Sequence, residues 1–399
     1  MTHDAQGARP VYVLGVGMTA FGKFHNERLQ SLGRKAAKAA LADAGIAASD
    51  VELLACGSAR SGILQGRESG VGQIIGWELG IDGIPIYNEK AYCASGTLAF
   101  NVAYMAVAGG FHDVALVVGV EQMSRRRGKG QALISDGMEL ETLYGFAPPV
   151  FYSMAAQRHV EEYGTTRQQI AQVAVKNRQA AVLNPVAQYR NPITIDDVLN
   201  YRPVAGMLNL LDCCPTGDGG AAAVIASEEG ARRFGSSPQV RIAASMVGSG
   251  RHRDPMPSLT SFELDVVTAN RAYERSGIGP SDIDVAEVHD SFSIAEIIHY
   301  EDLGFCRPGE GGRLVEDGTT ALGGRLPVCP SGGLLTRGHP LGATGVAQIV
   351  ELTDQLRGRC GPRQVQDPRV ALAQISGGFQ NSGFATSAIT VLVRVDSPT

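Results

Sequence analysis

The sequence predicts an α/β protein in which a mostly parallel β-sheet is covered by helices. Apolar, β-branched runs of buried-strand type alternate along the chain with segments whose alanines and leucines recur at helical spacing. The 399 residues include 50 glycines, 44% are hydrophobic and only 19% are charged, which is typical of a globular chain rich in tight turns. This length allows two or three domains, or one large fused core.

The first 120 residues alternate between predicted strands and helices. Residues 11–17 are predicted as a buried strand that closes on two glycines, and residues 31–44 as a helix that stops at Gly45. The other predicted elements of this part are strands at 51–56, 84–86 and 114–120 and a helix at 98–108.

Residues 121–215 depart from this pattern, because they are polar and rich in turns, with helices predicted at 152–163 and 166–183. We interpret this stretch as a long excursion over the main body. The chain returns through predicted strands at 218–226 and 240–247, and the alternation restarts after residue 255. The later elements are predicted helices at 260–276, 293–303 and 346–357 and predicted strands at 283–288, 370–375 and 388–393.

The charge and the cysteine content exclude several classes of function. A formal net charge of −5 gives no general reason to expect binding to nucleic acid or to an anionic membrane. The seven cysteines are scattered without C-x-x-C spacing, which favours reduced thiols in a cytoplasmic protein over a zinc site or a redox pair. The N-terminal residues lack the pattern of a secretory signal, and no segment approaches 18 uninterrupted apolar residues.

Cys93 is the first candidate for a functional residue. It lies in the segment Tyr-Cys-Ala-Ser-Gly, just before the predicted helix at 98–108. At a helix N-terminus, unpaired N–H groups and the positive end of the dipole lower the pKa of a thiol, and those N–H groups can receive an oxyanion. Small neighbours leave room for a bulky acyl group. The alternative is that Cys93 is a small buried hydrophobic residue, as lone cysteines usually are.

Two histidines lie in turn-like settings that suit catalysis. His289 follows a predicted strand and precedes Asp290, whereas His339 lies in Arg-Gly-His-Pro-Leu-Gly, where glycines and a proline hold the backbone. The alternative for His289 is a structural histidine at a strand end, and the alternative for the segment around His339 is a plain tight loop. A cysteine together with two histidines indicates acyl chemistry through a thioester.

Other glycine-rich and basic segments point less clearly to a ligand. Because the segment 374–383 is rich in glycine, its backbone is able to approach a ligand and donate hydrogen bonds. The alternative is a turn that binds no ligand. The basic run of Arg125, Arg126, Arg127 and Lys129 is either a phosphate contact or a solvated surface. The glycine loops lack the spacing of a nucleotide-binding fingerprint placed after the first strand, so nucleotide hydrolysis and hydride transfer have no support.

Several motifs, taken in order, resemble the thiolase family and, more closely, its sterol-carrier-protein-type branch. They are the Cys-Ala-Ser-Gly turn at Cys93, Glu121-Gln-Met-Ser124, His289-Asp-Ser-Phe292 and the Gly-His-Pro-Leu-Gly-Ala-Thr-Gly segment that contains His339. Segments within residues 154–226, among them Asp-Cys-Cys-Pro-Thr-Gly-Asp-Gly-Gly, resemble the same branch in the same order. The resemblance covers nearly the whole chain, from about residue 10 to residue 395.

The resemblance implies a thiolase fold of five layers, α-β-α-β-α, built from two duplicated βαβ-type halves. Residues 1–120 and 216–255 would form the N-terminal half and residues 256–399 the C-terminal half, with residues 121–215 as an inserted loop domain that covers the acyl-CoA site. It also implies a homodimer or a dimer of dimers, with a separate small zinc-ribbon and OB-fold protein as a plausible partner. CoA would be a substrate, and neither a metal nor an organic cofactor is expected.

The resemblance also assigns roles to individual residues. Cys93 would be the nucleophile that takes an acyl group from a CoA thioester, and His339 would activate its thiol. His289 and His339 would bind the thioester oxygen, while the backbone N–H groups of Cys93 and Gly378 would form a second oxyanion site. The implied reaction is thiolytic cleavage of a 3-oxoacyl-CoA by CoA, or the reverse Claisen condensation, in lipid or aromatic acyl-CoA metabolism.

The sequence departs from the family at the second catalytic cysteine. Thiolases usually carry it in the C-terminal glycine turn, which here has Gln374 or Ser376 depending on alignment, and the sterol-carrier-protein branch often has it where this chain has Ser291. Because a serine hydroxyl has a high pKa, it is a poor replacement for a thiol in proton transfer. We expect His289 to move the proton instead, with Ser291 at most relaying it through water.

Two other functions remain open at this stage. One is a retro-aldolase or another C-acyltransferase on the same fold, and a retro-aldolase would not need a cysteine nucleophile. The other is a non-catalytic lipid-binding or scaffold subunit of a thiolase-like complex. Cys93 disfavours the first, and the presence of three reactive positions disfavours the second.

Overall fold

The structure is a computed structural model that describes residues 8–124, 146–235, 239–251, 258–380 and 383–395. The basic run of Arg125, Arg126, Arg127 and Lys129 lies outside these ranges. The strands are β1 (Val11–Met18), β2 (Leu53–Gly57), β3 (Ile86–Glu89), β4 (Val114–Gln122), β5 (Pro203–Ala205), β6 (Leu208–Asn209), β7 (Asp218–Ser227), β8 (Val240–Ser249), β9 (Val285–Glu287), β10 (Val370–Gln380) and β11 (Gly383–Arg394).

Seven of the helices in the described ranges match predicted helices with shifted ends, and the other five are short ones that the sequence pattern did not predict. They are α1 (Leu29–Ala44), α2 (Ser61–Gln65), α3 (Val71–Leu79), α4 (Ser95–Ala108), α5 (Pro148–Tyr163), α6 (Arg167–Val182), α7 (Ile195–Leu199), α8 (Glu228–Arg233), α9 (Glu263–Ser276), α10 (Ser293–Asp302), α11 (Gly311–Glu316) and α12 (Leu341–Leu356). A π-helical turn, Gly333–Arg337, precedes α12. None of the helices in the described ranges combines the length and the hydropathy that a membrane span requires.

The large sheet is mixed, and the prediction of a mostly parallel sheet is wrong. Its strands run in the order β3-β2-β4-β7-β1-β8-β11-β10-β9. Only β2 with β3, β2 with β4, and β9 with β10 pair in parallel, whereas the other neighbours are antiparallel. The sequence pattern did not reveal this, because helices cover both faces and a strand buried on both faces is uniformly apolar in either direction.

Two halves of this sheet meet at a narrow junction between β1 and β8. These two strands pair only at Tyr12 with Arg241 and Val13 with Val240, whereas β8 pairs with β11 along its whole length. The division into an N-terminal half, an inserted loop domain and a C-terminal half stays a proposal. Strand β8, which this division places in the N-terminal half, makes most of its hydrogen bonds with β11 of the C-terminal half.

The apolar cores define five layers. On one side, α1 and α3 pack against the N-terminal half of the sheet through residues such as Leu32 and Ile75. Helices α4 and α12 lie between the two halves, and α12 contacts both β4 and β10. Helix α9 covers the outer face of the C-terminal half, α10 packs beside α9, and α5 and α6 of the excursion pack against α10. The five-layered thiolase fold is therefore confirmed.

Candidate active site

Cys93 lies in a tight turn that leads from β3 into α4. The hydroxyl of Ser95 accepts a hydrogen bond from the N–H of Ala91 at 2.9 Å and donates one to the carbonyl oxygen of Tyr92 at 2.7 Å. Tyr92 adopts φ +52°, a backbone conformation that is strained for a tyrosine and common at functional turns. Cys93 therefore lies just before the first turn of α4, as the sequence predicts.

His339 precedes the second central helix, α12, which begins five residues earlier than predicted, at Leu341. The buried carboxylate of Glu121 accepts hydrogen bonds from the N–H of Gly342 at 3.1 Å and of Ala59 at 2.8 Å, and so joins this helix start to the end of β2. A Cβ atom on Gly342 would lie 2.5 Å from the carbonyl oxygen of Val120, so only glycine allows this close approach. The N-termini of α4 and α12 consequently meet at one place.

The thiol of Cys93 and the imidazole of His339 are in contact. The distance from Sγ of Cys93 to Nε2 of His339 is 3.2 Å. Nδ1 of His339 lies 2.8 Å from Oγ1 of Thr344, and that hydroxyl donates its own hydrogen to the carbonyl oxygen of Pro340 at 3.0 Å. Because the hydroxyl hydrogen is already used, Nδ1 of His339 must donate, which leaves Nε2 unprotonated and able to accept the thiol proton.

His289 completes a three-residue cluster. Its ring centre lies 5.4 Å from that of His339, and Sγ of Cys93 and one nitrogen of each histidine all lie within 4.8 Å of one another. Neither ring nitrogen of His289 has a hydrogen-bond partner among the described residues. The nitrogen that lies near Cys93 and His339 is therefore available to a molecule bound in the site. Cysteine and histidine are also ligands that Zn²⁺ prefers, so the same trio is able to hold a soft metal ion.

Burial keeps all three groups neutral at rest. Apolar side chains such as Leu64 and Ile375 surround Cys93, and this burial raises the pKa of its thiol to about 12, although the charge of Arg60 acts in the opposite direction. The lowered thiol pKa expected at a helix N-terminus is therefore wrong, because loss of hydration outweighs the helix dipole. Burial likewise lowers the pKa of His289 to about 3 and that of His339 well below its usual value.

Gly378 lies opposite Cys93, within β10 and not in a turn after it. Its φ is +67°, and a Cβ atom there would lie 2.2 Å from the ring of Tyr92, so glycine is required. The backbone N–H groups of Gly378 and of Cys93 itself both lower the pKa of the Cys93 thiol, which places both donors beside the sulfur. Two N–H groups beside the sulfur suit an oxyanion formed on the attacked carbon.

The three positions considered for the missing second cysteine differ in their surroundings. The hydroxyl of Ser376 donates to the carboxylate of Asp265 at 2.9 Å, and the side chain of Gln374 accepts from the N–H of His289 at 2.8 Å. Both side chains therefore hold neighbouring groups in place. Ser291 is buried next to Tyr152; burial raises the pKa of that phenol, and the Ser291 hydroxyl lowers it.

Three residues near the site were not singled out from the sequence as functional. Thr344 and Glu121 lie within motifs that carry the family resemblance, but only the fold shows what they bond. Cys214 donates its N–H to the carbonyl oxygen of Ser291 at 2.9 Å. Burial raises the pKa of Cys214 well above its ordinary value, and the charge of Cys93 adds to this rise, so the two thiols are electrostatic neighbours.

Thr344→Val is expected to lower kcat by about tenfold to a hundredfold, because His339 loses the acceptor that holds its tautomer. The measurement is kcat together with the rate at which iodoacetamide alkylates Cys93, both at neutral pH. Thr353→Val is the matched control, since Thr353 is equally buried on the same helix and its hydroxyl has no partner among the described residues. Equal kcat values in the two variants would contradict the role of Thr344.

Fold and site together define an α/β enzyme of the acyltransferase class. The family model for the N-terminal domain of thiolase matches residues 11–229, and a thiolase C-terminal domain-like model matches residues 247–392. The chain belongs to the thiolase family.

Individual relatives agree with this assignment. An acetyl-CoA acetyltransferase of Methanothermobacter thermautotrophicus is 40% identical over 93% of this chain and 97% of its own length. The benzoylsuccinyl-CoA thiolase subunit BbsB of Thauera aromatica is 38% identical over 93% of this chain and 95% of its own length. Sterol carrier protein 2 of Bos taurus is 37% identical over 97% of this chain and 73% of its own length.

Among solved structures, one described as the Ltp2-ChsH2(DUF35) aldolase superposes on this fold with a TM-score of 0.80. It is 29% identical in sequence, and the match covers 96% of this chain and 97% of that one. The resemblance to the sterol-carrier-protein-type branch is thus confirmed, as is the prediction of a thiolase-type acyltransferase.

Proposed function

We propose that this enzyme cleaves a 3-oxoacyl-CoA with CoA, or runs the reverse Claisen condensation, through an acyl group carried on Cys93. The single observation that carries the proposal is the contact of 3.2 Å between Sγ of Cys93 and Nε2 of His339, beside the N–H groups of Cys93 and Gly378. A nucleophile, its base and a place for the oxyanion therefore lie within one site.

In the first half-reaction, Sγ of Cys93 attacks the 3-keto carbon while His339 takes the thiol proton. The keto oxygen becomes an oxyanion that accepts hydrogen bonds from the N–H groups of Cys93 and Gly378. When the tetrahedral intermediate collapses, the bond between C2 and C3 breaks and the electron pair leaves on the enolate of acetyl-CoA. The thioester oxygen of that enolate lies against His289 and His339, and C2 takes up the proton that His339 removed from the Cys93 thiol, passed on through His289.

In the second half-reaction, the thiol of a free CoA loses its proton to His339 and attacks the acyl group on Cys93. A new thioester forms, Cys93 leaves as a thiolate, and His339 returns the proton to its sulfur. CoA is a substrate in this scheme, which requires neither a metal nor an organic cofactor.

The direct test supplies the purified protein with acetoacetyl-CoA and CoA. We expect acetyl-CoA as the product and, without added CoA, an acetyl adduct on the peptide that contains Cys93, detected by mass spectrometry. Absence of both cleavage and adduct with short, long and aromatic 3-oxoacyl-CoA substrates would refute the proposal. It would leave the non-catalytic lipid-binding or scaffold role as the better account.

A retro-aldolase is the second candidate, because the aldolase that superposes with a TM-score of 0.80 shares this fold at 29% identity. An aldolase cleaves a 3-hydroxyacyl-CoA without CoA and forms no acyl-enzyme. Cleavage of such a substrate in the absence of CoA, with no adduct on Cys93, would favour this alternative.

We assign the proton transfer at C2 to His289. His289→Ala is expected to slow exchange of the α-protons of acetyl-CoA with deuterated water by about a hundredfold, a typical contribution of one acid–base group. Ser291→Ala, a smaller change in the same loop, is expected to slow it by less than about tenfold. The exchange is followed by NMR, and equal effects of the two substitutions would rule out this assignment.

We also propose a homodimer or a dimer of dimers, with a small zinc-ribbon and OB-fold protein as a further partner, in the cytoplasm. In the described ranges β3 is an edge strand, and Tyr87 on it and Trp77 on α3 are exposed by 47% and 66%. Such an edge is usually covered. A relative described as a subunit, and one described together with a DUF35 protein, support a partner. Light scattering measures the oligomeric state.

A further inference from the structure

A buried polar cluster lies beneath the two segments that carry His289 and His339. Its members are Lys176 and Asn177 of α6, Asp290, and Glu296 of α10, and each side chain is less than a tenth exposed. Charged and amide side chains are rarely buried so completely unless they are paired. The described contacts pair them with one another and with the backbone that leads to His339.

Asn177 contacts both histidine-bearing segments. Its side-chain Nδ2 donates to Oδ2 of Asp290 at 2.7 Å and to Oε2 of Glu296 at 2.6 Å. Its carbonyl oxygen lies 3.0 Å from Oγ1 of Thr336, a hydroxyl that also donates to the carbonyl oxygen of Gly332. Asp290 directly follows His289 in the chain, and Thr336 lies three residues before His339.

Asp290 extends this connection to the turn before His339. Oδ1 of Asp290 accepts from the N–H of Leu334 at 2.6 Å, and Oδ2 accepts from the N–H of Leu335 at 3.3 Å. The packing is close, because a Cβ atom on Gly333 would lie 2.0 Å from Oδ2 of Asp290. One carboxylate thus holds the turn that delivers His339, while the neighbouring residue carries the other catalytic ring.

Lys176 offsets the charge of Glu296 within the cluster. Its Nζ lies 2.6 Å from Oε1 of Glu296 and donates to the carbonyl oxygen of Val328 at 2.6 Å. Burial raises the pKa of Asp290 well above its usual value, and the charges of Glu296 and Glu287 add to this rise. The amide of Asn177 donates to both Asp290 and Glu296, and so keeps the two acidic groups bridged in spite of their repulsion.

We propose that Asn177 is a positioning residue, which sets the distance between His289 and His339 by bonding Asp290 and Glu296 through its side chain and Thr336 through its carbonyl oxygen. The catalytic role of Asn177 depends on the proposed function, whereas its contacts with Asp290, Glu296 and Thr336 do not. Helix α6 belongs to the excursion at 121–215, so this excursion helps to hold the two histidine-bearing segments in place.

Asn177→Ala in the full chain is the test. We expect kcat for thiolysis to fall by about tenfold to a hundredfold with KM for CoA changed by less than about twofold, because the histidines shift while the substrate surface stays. We also expect iodoacetamide to alkylate Cys93 about tenfold more slowly at neutral pH, since His339 is then less well placed to take the thiol proton. The alkylation rate does not depend on which acyl-CoA the enzyme uses.

Asn101→Ala is the matched control. Asn101 is also buried, and its side chain donates to the carbonyl oxygen of Ser245 in β8 at 2.9 Å, a contact that involves neither histidine segment. It should lower Tm without slowing the alkylation of Cys93. If both variants lower Tm and alkylate at the wild-type rate, Asn177 is only structural and the inference is overturned.

A second variant covers the case in which Asn177→Ala does not fold. Thr336→Val removes the hydroxyl that bonds the carbonyl oxygens of Asn177 and Gly332, and it should slow alkylation in the same direction by a smaller factor; an unchanged rate overturns the inference. Should the wild-type protein show no thiolysis, the proposed function fails. The alkylation rates of the variants still decide whether Asn177 positions His339.

Discussion

Cys93→Ala is expected to lower thiolysis of acetoacetyl-CoA by about four orders of magnitude or more and to abolish the acyl adduct. The variant has no nucleophile, and the remaining oxyanion donors cannot form an acyl-enzyme without one. Initial rates measured with excess CoA give the loss of activity, and intact-mass spectrometry after mixing with acetoacetyl-CoA gives the loss of the adduct.

Cys306→Ala is the matched control for this experiment, because Cys306 is another free thiol and does not belong to the cluster around Cys93. It should retain both activity and adduct. A Cys93→Ala variant that keeps the wild-type rate would disprove covalent catalysis through this residue. An adduct that survives on another peptide would point to a different nucleophile, with Cys214 the first to examine.

His339→Ala is expected to lower kcat by about a thousandfold, since a buried thiol cannot ionise unaided. With a thiol pKa of about 12, only about one molecule in ten thousand carries a thiolate at pH 8 in the absence of a base. In the wild-type protein, Nε2 of His339 takes the proton during attack. In the variant, alkylation of Cys93 should therefore be slow near neutral pH and should keep rising as the pH approaches the pKa of the thiol.

The control for this variant is His159→Ala. His159 is fully buried, and its ring nitrogens lie 2.8 Å from Oγ1 of Thr165 and 3.3 Å from Oε2 of Glu301, so its loss also disturbs buried hydrogen bonds. It should cost stability without changing the pH dependence of Cys93 alkylation. Identical alkylation profiles for the wild type and His339→Ala would show that His339 is not the base.

The elements of the fold were predictable because most of them are long and strongly patterned. The helix predicted at 31–44 is Leu29–Ala44, and the strand predicted at 114–120 is Val114–Gln122. The errors concern ends, strand directions and several short elements that were missed, among them helix α3 (Val71–Leu79). Helix α12 starts at Leu341 and not at 346, because Gly342 and Gly345, which lower helix propensity, are placed there for close packing against β4 and α4. Strand direction could not be predicted, because strands that are buried on both faces are uniformly apolar whether they pair in parallel or antiparallel.

The site was partly predictable, because some of its residues also carry a local signal in the sequence. Cys93, His289 and His339 stand out as reactive residue types in turn-like segments, and the structure brings them together within 4.8 Å. Their roles stay predictions. Thr344, Cys214 and Asn177 could not be assigned in this way, since an ordinary threonine, cysteine or asparagine carries no local sign of what it contacts.

Family, fold class and the identity of the three reactive residues can be predicted from the sequence directly. They depend on local properties, namely residue types, spacing and apolar periodicity. The protonation states of those residues, the pairing of β8 and the contacts of Asn177 depend on groups far apart in sequence. Burial is the clearest case: a helix start alone predicts an acidic thiol at Cys93, but packing removes water from the sulfur and raises its pKa to about 12. Only the tertiary structure sets how much water each group loses and which distant partner replaces it.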